Sequence, residues 1–106
     1  MSDAEDTAER RRRIRAIAET GHVEATAYRD ECGSLHVYFK EHTAEGEFEL
    51  FACVFTSHRD FDPDPEVQFV DGVAALNEGT LAEAIGLWLR QDGLCAAVNV
   101  KIYTGP

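Results

Sequence analysis

Four polar residues on one face of a predicted β-strand are the first candidates for chemistry: His36, Tyr38, Lys40 and His42. Successive members lie roughly 7 Å apart at the rise of a strand, which puts the two histidines about 20 Å apart. Imidazole is a general base and a metal ligand, but this separation is too large for both histidines to share one ion without further ligands. The pattern is more typical of a solvated polar face, and it predicts no metal site.

The cysteines are a second candidate for chemistry. Cys32, Cys53 and Cys95 are odd in number and widely spaced, which fits neither a disulfide framework nor a paired metal site. Cys53 and His58 are close in sequence, but they have opposite facing parity in an extended chain, so they form a nucleophilic pair only if a bulge intervenes. We expect three reduced thiols and no catalytic set.

An acidic segment lies between residues 57 and 66. Its acids are Asp60, Asp62, Asp64 and Glu66, with prolines at positions 63 and 65. Alternating carboxylates can converge on calcium, but the prolines occupy the intervening positions and the later ligands of a calcium loop are missing. Proline fixes the backbone in an extended form, so the segment is predicted to be a rigid acidic ridge suited to a basic protein surface.

The negative net charge of the chain arises from its central segment. The formal net charge is −10, and residues 22–79 hold thirteen acidic residues against Arg29, Lys40 and Arg59. An acidic field repels nucleic acid and anionic membranes and attracts basic proteins. Abundant arginine and alanine with scarce lysine leave a second interpretation open, in which surface acidity serves only solubility in a salt-adapted host.

The N-terminal segment carries the opposite charge. Arginines at positions 10–13 and 15 follow acids at positions 3, 5, 6 and 9 on one predicted helix. Consecutive residues point around the whole circumference of a helix, so these arginines do not form one phosphate-binding face. We expect intramolecular ion pairs, or docking on the acidic sheet of a second copy, in preference to nucleic-acid binding.

These residues must be positioned by helices and strands that hydrophobic periodicity predicts. Helical patterns cover residues 3–20 and 80–92, the second opened by a capping box that starts at Thr80. Alternating patterns predict a three-stranded meander through residues 22–55, a short edge strand at 67–70 and a last strand at 94–103. This order predicts a single two-layer α+β domain, in which the last strand joins an antiparallel sheet.

One predicted strand is apolar on both faces. Phe51, Cys53 and Phe55 point away from the side that carries Leu50 and Val54, if strict alternation holds. Either the chain covers that second face, or a homodimer buries it through Phe51 and Phe55.

Together these patterns predict a non-enzymatic, cytoplasmic module without cofactor or metal, which binds a basic protein surface. The contact residues would be Asp60, Asp62, Asp64, Glu66, Glu45, Glu47 and Glu49. An acidic surface that covers a basic one is typical of several kinds of inhibitor. Examples are inhibitors of nucleic-acid-binding clefts, immunity proteins against toxins, and anti-CRISPR or other anti-defence proteins. The alternatives are a small homodimeric accessory domain, and a small enzyme or ligand binder that uses His36, His42, Tyr38 or a cysteine.

Overall fold

The computed structural model describes residues 3–60 and 66–104, and it is an α+β fold with two helices and a five-stranded mixed sheet. The elements in chain order are α1 (Asp3–Glu19), β1 (His22–Arg29), β2 (Leu35–Thr43), β3 (Gly46–Thr56), β4 (Val67–Phe69), a 3-10 turn (Val73–Ala75), α2 (Glu78–Arg90) and β5 (Ala97–Thr104). The predicted α+β class is confirmed, and each predicted helix and strand is present.

The sheet is not purely antiparallel, which corrects the predicted topology. Its strand order is β4-β3-β2-β1-β5, and the meander β1–β3 is antiparallel as expected. β4 pairs with β3 in parallel, and β5 pairs with β1 in parallel. The chain leaves β4, returns along α2 and enters β5, and such a strand–helix–strand connection makes its two strands run in the same direction.

Both helices pack on one face of the sheet, here called the inner face. Ile14 and Ala18 of α1 and Leu81, Ile85 and Leu89 of α2 share one buried cluster with the inner side chains of the sheet. Those inner side chains include Val23, Ala27, Leu35, Val37 and Phe39, all inaccessible to solvent. The opposite, outer face carries no helix among the described residues.

A β-bulge in β3 changes which of its side chains face inward. Val37 pairs with Cys53 but Tyr38 pairs with Phe51, so Ala52 has no partner residue on β2. The extra residue shifts the alternation, and Leu50, Cys53 and Phe55 all pair with inward-facing residues of β2. Phe51 pairs with the outward-facing Tyr38.

The start of α2 differs from the predicted capping box. The N-cap is Asn77, whose side chain accepts a hydrogen bond from the Thr80 N–H at 2.9 Å, while the Thr80 hydroxyl accepts one from the Asn77 N–H at 2.9 Å. The helix therefore begins two residues before Thr80. An asparagine cap places its oxygen as serine or threonine would, which sequence inspection overlooked in favour of Thr80.

Arginine side chains add polar contacts between helix α1 and the rest of the domain. Arg10 and Arg11 contact Glu66 at 3.2 and 3.1 Å, and Arg13 makes hydrogen bonds to both carboxylate oxygens of Glu41. Arg12 pairs with Glu9 inside the helix. The expected intramolecular ion pairs are present, but their main partners lie on β2 and beside β4.

Candidate protein-binding surface

Four aromatic rings form a continuous row across the outer face of the sheet. Tyr103 of β5 stacks on Tyr28 of β1 with centroids 5.9 Å apart, and Tyr28 meets Tyr38 of β2 edge-to-face at 5.6 Å. Tyr38 meets Phe51 of β3 edge-to-face, also at 5.6 Å. The row, here called the aromatic row, therefore crosses four strands. Such offset and edge-to-face contacts are the arrangements that aromatic pairs prefer.

Strand register explains the aromatic row. Tyr28 and Tyr103 are direct partners in the parallel ladder of β1 and β5, and Tyr38 and Phe51 are partners across β2 and β3. All four occupy outward positions, so none joins the inner core. The exposed fractions are 41% for Tyr28 and 51% for Tyr103, whereas Tyr38 and Phe51 are half-buried. Exposed, mutually stacked rings are pre-ordered for contact with another molecule.

Carboxylates border the aromatic row on the side where β2 and β3 turn. The Tyr28 hydroxyl donates to Glu49 at 3.0 Å, and this hydrogen bond raises the pKa of Tyr28. Lys40 lies 3.5 Å from Glu24 and 3.7 Å from Glu47. Lys40 thus pairs with two carboxylates, and with Glu49 the border holds three acidic residues against one lysine, which leaves it a net negative charge.

The β2–β3 hairpin separates from β1 at its turn end, although residues 22–24 of β1 continue the sheet with β5. Pairing between β1 and β2 stops at Ala25 and Phe39, while β2 and β3 stay paired to Thr43 and Gly46. The projecting part, residues 40–49, is here called the hairpin arm, and its turn presents the exposed Glu45. A cleft of about 700 Å³ opens where the hairpin arm leaves β1; its lining includes Ile17, His22, Glu24, Lys40, His42 and Glu47.

The predicted acidic ridge is only partly described. Asp60 is exposed, while Asp62 and Asp64 lie outside the described residues. Glu66 is 7% exposed and holds Arg10 and Arg11 through one carboxylate oxygen, so it cannot be a contact residue for a basic partner. This corrects the sequence interpretation, which counted Glu66 among the exposed acids.

The predicted dimer face is not assembled. Phe55 is 2% exposed and Cys53 is inaccessible, because the bulge turns both of them into the core beneath the helices. Phe51 lies on the outer face, where the Arg10 guanidinium carbon is 5.6 Å from its ring centroid. Phe51 and Phe55 therefore belong to opposite faces.

The histidines and the cysteine considered above for catalysis are either hydrogen-bonded to nearby residues or buried. His36 bonds Asp30 at 2.8 Å, and Asp30 also accepts from the N–H groups of Cys32 and Ser34. Partial burial acts to raise the pKa of Asp30, but these hydrogen bonds outweigh it and lower that pKa. His58 bonds the Cys32 carbonyl at 3.0 Å. Cys53 is enclosed, and its burial raises its thiol pKa, so no Cys53–His58 pair forms.

Metal binding and membrane spanning find no support in the part of the chain that the structure describes. Within residues 3–60 and 66–104, no three histidine, cysteine or acidic side chains are placed to hold a metal ion. Neither helix there has the length and apolar character needed to cross a membrane.

Sequence inspection noticed the tyrosines only as members of polar faces. Alternation placed Tyr38 on a solvated polar face, and Tyr28 and Tyr103 alternate with apolar residues in the same way. It could not show that they are neighbours, because that depends on β5 lying beside β1. No protein-family model matches the chain, and no curated protein or solved structure matches it either.

Proposed function

We propose that this protein is a non-enzymatic binding module that takes a basic surface of another protein on its outer sheet face. The observation that carries the proposal is the aromatic row, which lies on the sheet face opposite both helices and has Glu49 bonded to Tyr28. The Arg10 side chain of α1 approaches its Phe51 end. Aromatic faces with adjacent carboxylates are chemically complementary to arginine and lysine side chains.

The aromatic row supplies the contact area of this surface. Tyrosine presents a large, rigid and amphipathic side chain that loses little conformational entropy on binding. Tyr28 is already fixed by its hydroxyl contact and by rings on both sides, so ordering it in a complex costs little further entropy. A guanidinium group stacked over such a ring contributes about 0.5–2 kcal/mol, depending on how far it is desolvated.

The carboxylates supply the charge complementarity. Glu24, Glu47 and Glu49 flank the row, and Glu45 extends the acidic surface to the end of the hairpin arm. Acidic residues that border an apolar contact accelerate association with a basic partner and disfavour acidic ones. Of the contact residues predicted from the sequence, the proposal retains Glu45, Glu47 and Glu49, with Asp60 as a more distant acidic residue. Glu66 is no longer included.

The biological class most consistent with this surface is an inhibitor that masks a basic site on its target. A nucleic-acid-binding cleft or a toxin active site presents clustered arginine and lysine with apolar stems, which an acidic aromatic face can cover. Immunity and anti-CRISPR or other anti-defence proteins are examples of that class.

The test is affinity capture from the native host with four forms of the protein. The forms are the wild type, the double variant Glu47→Lys/Glu49→Lys, Tyr38→Ser, and the control Asp92→Lys, which reverses an exposed charge after α2. We expect the wild type and the control to retain the same basic protein at low salt. We expect both outer-face variants to lose it, and raised salt to weaken its retention.

Two results would contradict the proposal. One is a retained protein that is acidic, or that is captured equally by all four forms. The other is retention of the same protein by the wild type and the outer-face variants at both low and high ionic strength.

A further inference from the structure

The free edge of β5 has backbone groups that point away from the sheet. The Ala97 N–H bonds the Gly21 carbonyl on the β1 side at 2.9 Å, so alternate residues from Ala97 onward face β1. The backbone N–H and C=O groups of residues 98, 100 and 102 therefore point away from β1, toward the free edge, while their side chains pack on the inner face. The outward Ile102 N–H is bonded by the Glu78 carboxylate at 2.9 Å, which caps that end of the edge. The described chain pairs no further strand here, so the half-buried Val98 remains available to a strand from another molecule, whereas Val100 is only 4% exposed.

The exposed side of α2 lies next to this open part of the edge. Glu78 at the start of the helix meets Ile102, whereas Gly86, Leu87 and Arg90 share a depression of about 430 Å³ with Ala96 and Val98. The helix thus runs antiparallel to β5. Leu87 is 60% exposed, more than any other exposed large hydrophobic residue of the described chain. A Cβ added to Gly86 would meet no atom within 4 Å outside its own helical turn, so the missing side chain lets another helix approach closely there.

This side of α2 carries one acidic and one basic residue, which are complementary to the same two residues of a second copy. Glu83 and Arg90 are both exposed, and neither forms an ion pair with any described residue. They are seven residues apart, which places them two turns apart on one side of the helix, about 10 Å along its axis. Gly86 and Leu87 lie midway between them. When a second α2 lies antiparallel across this midpoint, each Glu83 faces the Arg90 of the other copy.

We propose that β5 and α2 together form a two-fold interface with a second copy of this chain. The axis passes near Val98 on the strand and near Gly86 and Leu87 on the helix. Antiparallel pairing of the two β5 strands around Val98 extends the sheet from five strands to ten. The two Leu87 side chains meet at the axis, and two Glu83–Arg90 pairs flank them. The occupant is a second copy because the positive and negative groups are arranged symmetrically about the apolar centre.

This interface is separate from the surface proposed to bind a basic protein. It uses the edge and the inner layer, whereas the aromatic row lies on the outer face. Tyr103 of β5 is the end of that row and lies five residues from Val98, so antiparallel pairing places the two rows on one enlarged face with the two Tyr103 residues about 33 Å apart along the strands. The dimer can fail while the outer face still binds its target, and the reverse also holds.

The test is a charge swap followed by sedimentation equilibrium at micromolar concentrations. We expect the wild type to be a dimer, and Glu83→Arg and Arg90→Glu each to raise the dimer dissociation constant by about tenfold or more, since each creates two like-charged contacts. The double variant Glu83→Arg/Arg90→Glu restores the opposite pairs and should dimerise as the wild type does. Glu19→Arg, an exposed charge reversal on α1, is the matched control and should leave the dimer intact.

A backbone variant tests the strand half of the interface. Val98→Pro removes the outward N–H of Val98 but leaves the β5 bonds to β1 in place, so it should give a folded monomer, as verified by circular dichroism. A wild type that is monomeric at 100 μM overturns the proposal. So does a wild-type dimer that both single charge reversals leave unchanged, or one that the folded double variant fails to recover.

Discussion

The Arg13 guanidinium donates hydrogen bonds to both oxygens of the Glu41 carboxylate, with Nε 3.2 and 3.0 Å from them. This ion pair connects α1 to the base of the hairpin arm. Hydrogen bonding from Arg13 lowers the pKa of Glu41, and the same contact raises the pKa of Arg13. This pair and the Glu66 contacts show that part of the acidity of residues 22–79 serves to hold the arginine helix in place.

Replacing Glu41 by glutamine should destabilise the protein by about 1 kcal/mol at pH 7, because Arg13 is partly exposed and the pair is partly screened. The pKa of Glu41 is lower in the folded state than its ordinary value of 4.5. Its contribution is therefore complete above that value and disappears as the pH falls through the lower folded pKa. Urea unfolding at pH 7 and pH 3 measures this; an equal difference between wild type and variant at both pH values would contradict it.

Replacing Glu66 by glutamine should cost more, about 2 kcal/mol, since a buried carboxylate that holds two arginines is removed. The matched control is Glu45→Gln at the exposed turn of the hairpin arm, which should change stability by less than about 0.5 kcal/mol. Chemical denaturation of both variants at neutral pH checks the ranking. Equal losses for the two would mean that Glu66 does not anchor α1.

Asn77→Ala should destabilise the protein by about 1 kcal/mol, because it removes the side-chain acceptor for the Thr80 N–H at the start of α2. Asn77→Asp is the control, since aspartate accepts the same hydrogen bond and places a negative charge at the helix N-terminus. Thermal unfolding of both variants tests the assignment of the cap. A larger loss for the aspartate variant than for the alanine variant would show that Asn77 is not the N-cap.

Two of the three thiols should react with a thiol reagent in the native protein. Cys32 and Cys95 are exposed, whereas Cys53 is enclosed and burial raises its pKa, so it holds its proton and is inaccessible. Denaturant should release the third thiol. The measurement is reagent stoichiometry before and after unfolding; the Cys53→Ala variant should show two reactive thiols in both conditions.

Tyr28 should ionise at a higher pH than an ordinary tyrosine, because its hydroxyl donates to Glu49. Spectrophotometric titration of the three tyrosines, compared with a Tyr28→Phe variant, isolates its step. In Glu49→Gln the negative acceptor is gone, and the ionisation of Tyr28 should move toward its ordinary range. A titration that this substitution leaves unchanged would mean that the contact is absent in solution.

The sequence predicted the elements well, because periodicity reports which side of an element is buried. The predicted helix over residues 3–20 agrees with α1 to within one residue, and β2 of the predicted meander buries its alternating apolar residues Leu35, Val37 and Phe39 on one face. Strand direction was not predictable in the same way. Alternation is identical for parallel and antiparallel strands, so nothing in residues 94–103 indicated that β5 runs parallel to β1.

The wrong grouping of Phe51 with Cys53 and Phe55 has its physical origin in β3. Strict alternation through Ala52 placed Phe51 with Cys53 and Phe55, but one bulged residue separates them onto opposite faces. The bulge lies before Cys53, so it does not turn that thiol toward His58. The role of Glu66 was also hidden, because its arginine partners lie 55 and 56 residues earlier in the chain and only the folded structure brings them together.

The Glu78 carboxylate on the Ile102 N–H has a consequence for how far chains of this protein can associate. An uncapped eight-residue edge invites open-ended strand addition, the route by which sheets grow into fibrils. The Glu78 carboxylate near one end of this edge leaves room for a short ladder of backbone hydrogen bonds to another strand and disfavours a longer one. Replacing Glu78 by an uncharged side chain that cannot accept the Ile102 N–H removes this block to strand addition and should lower the solubility of the protein.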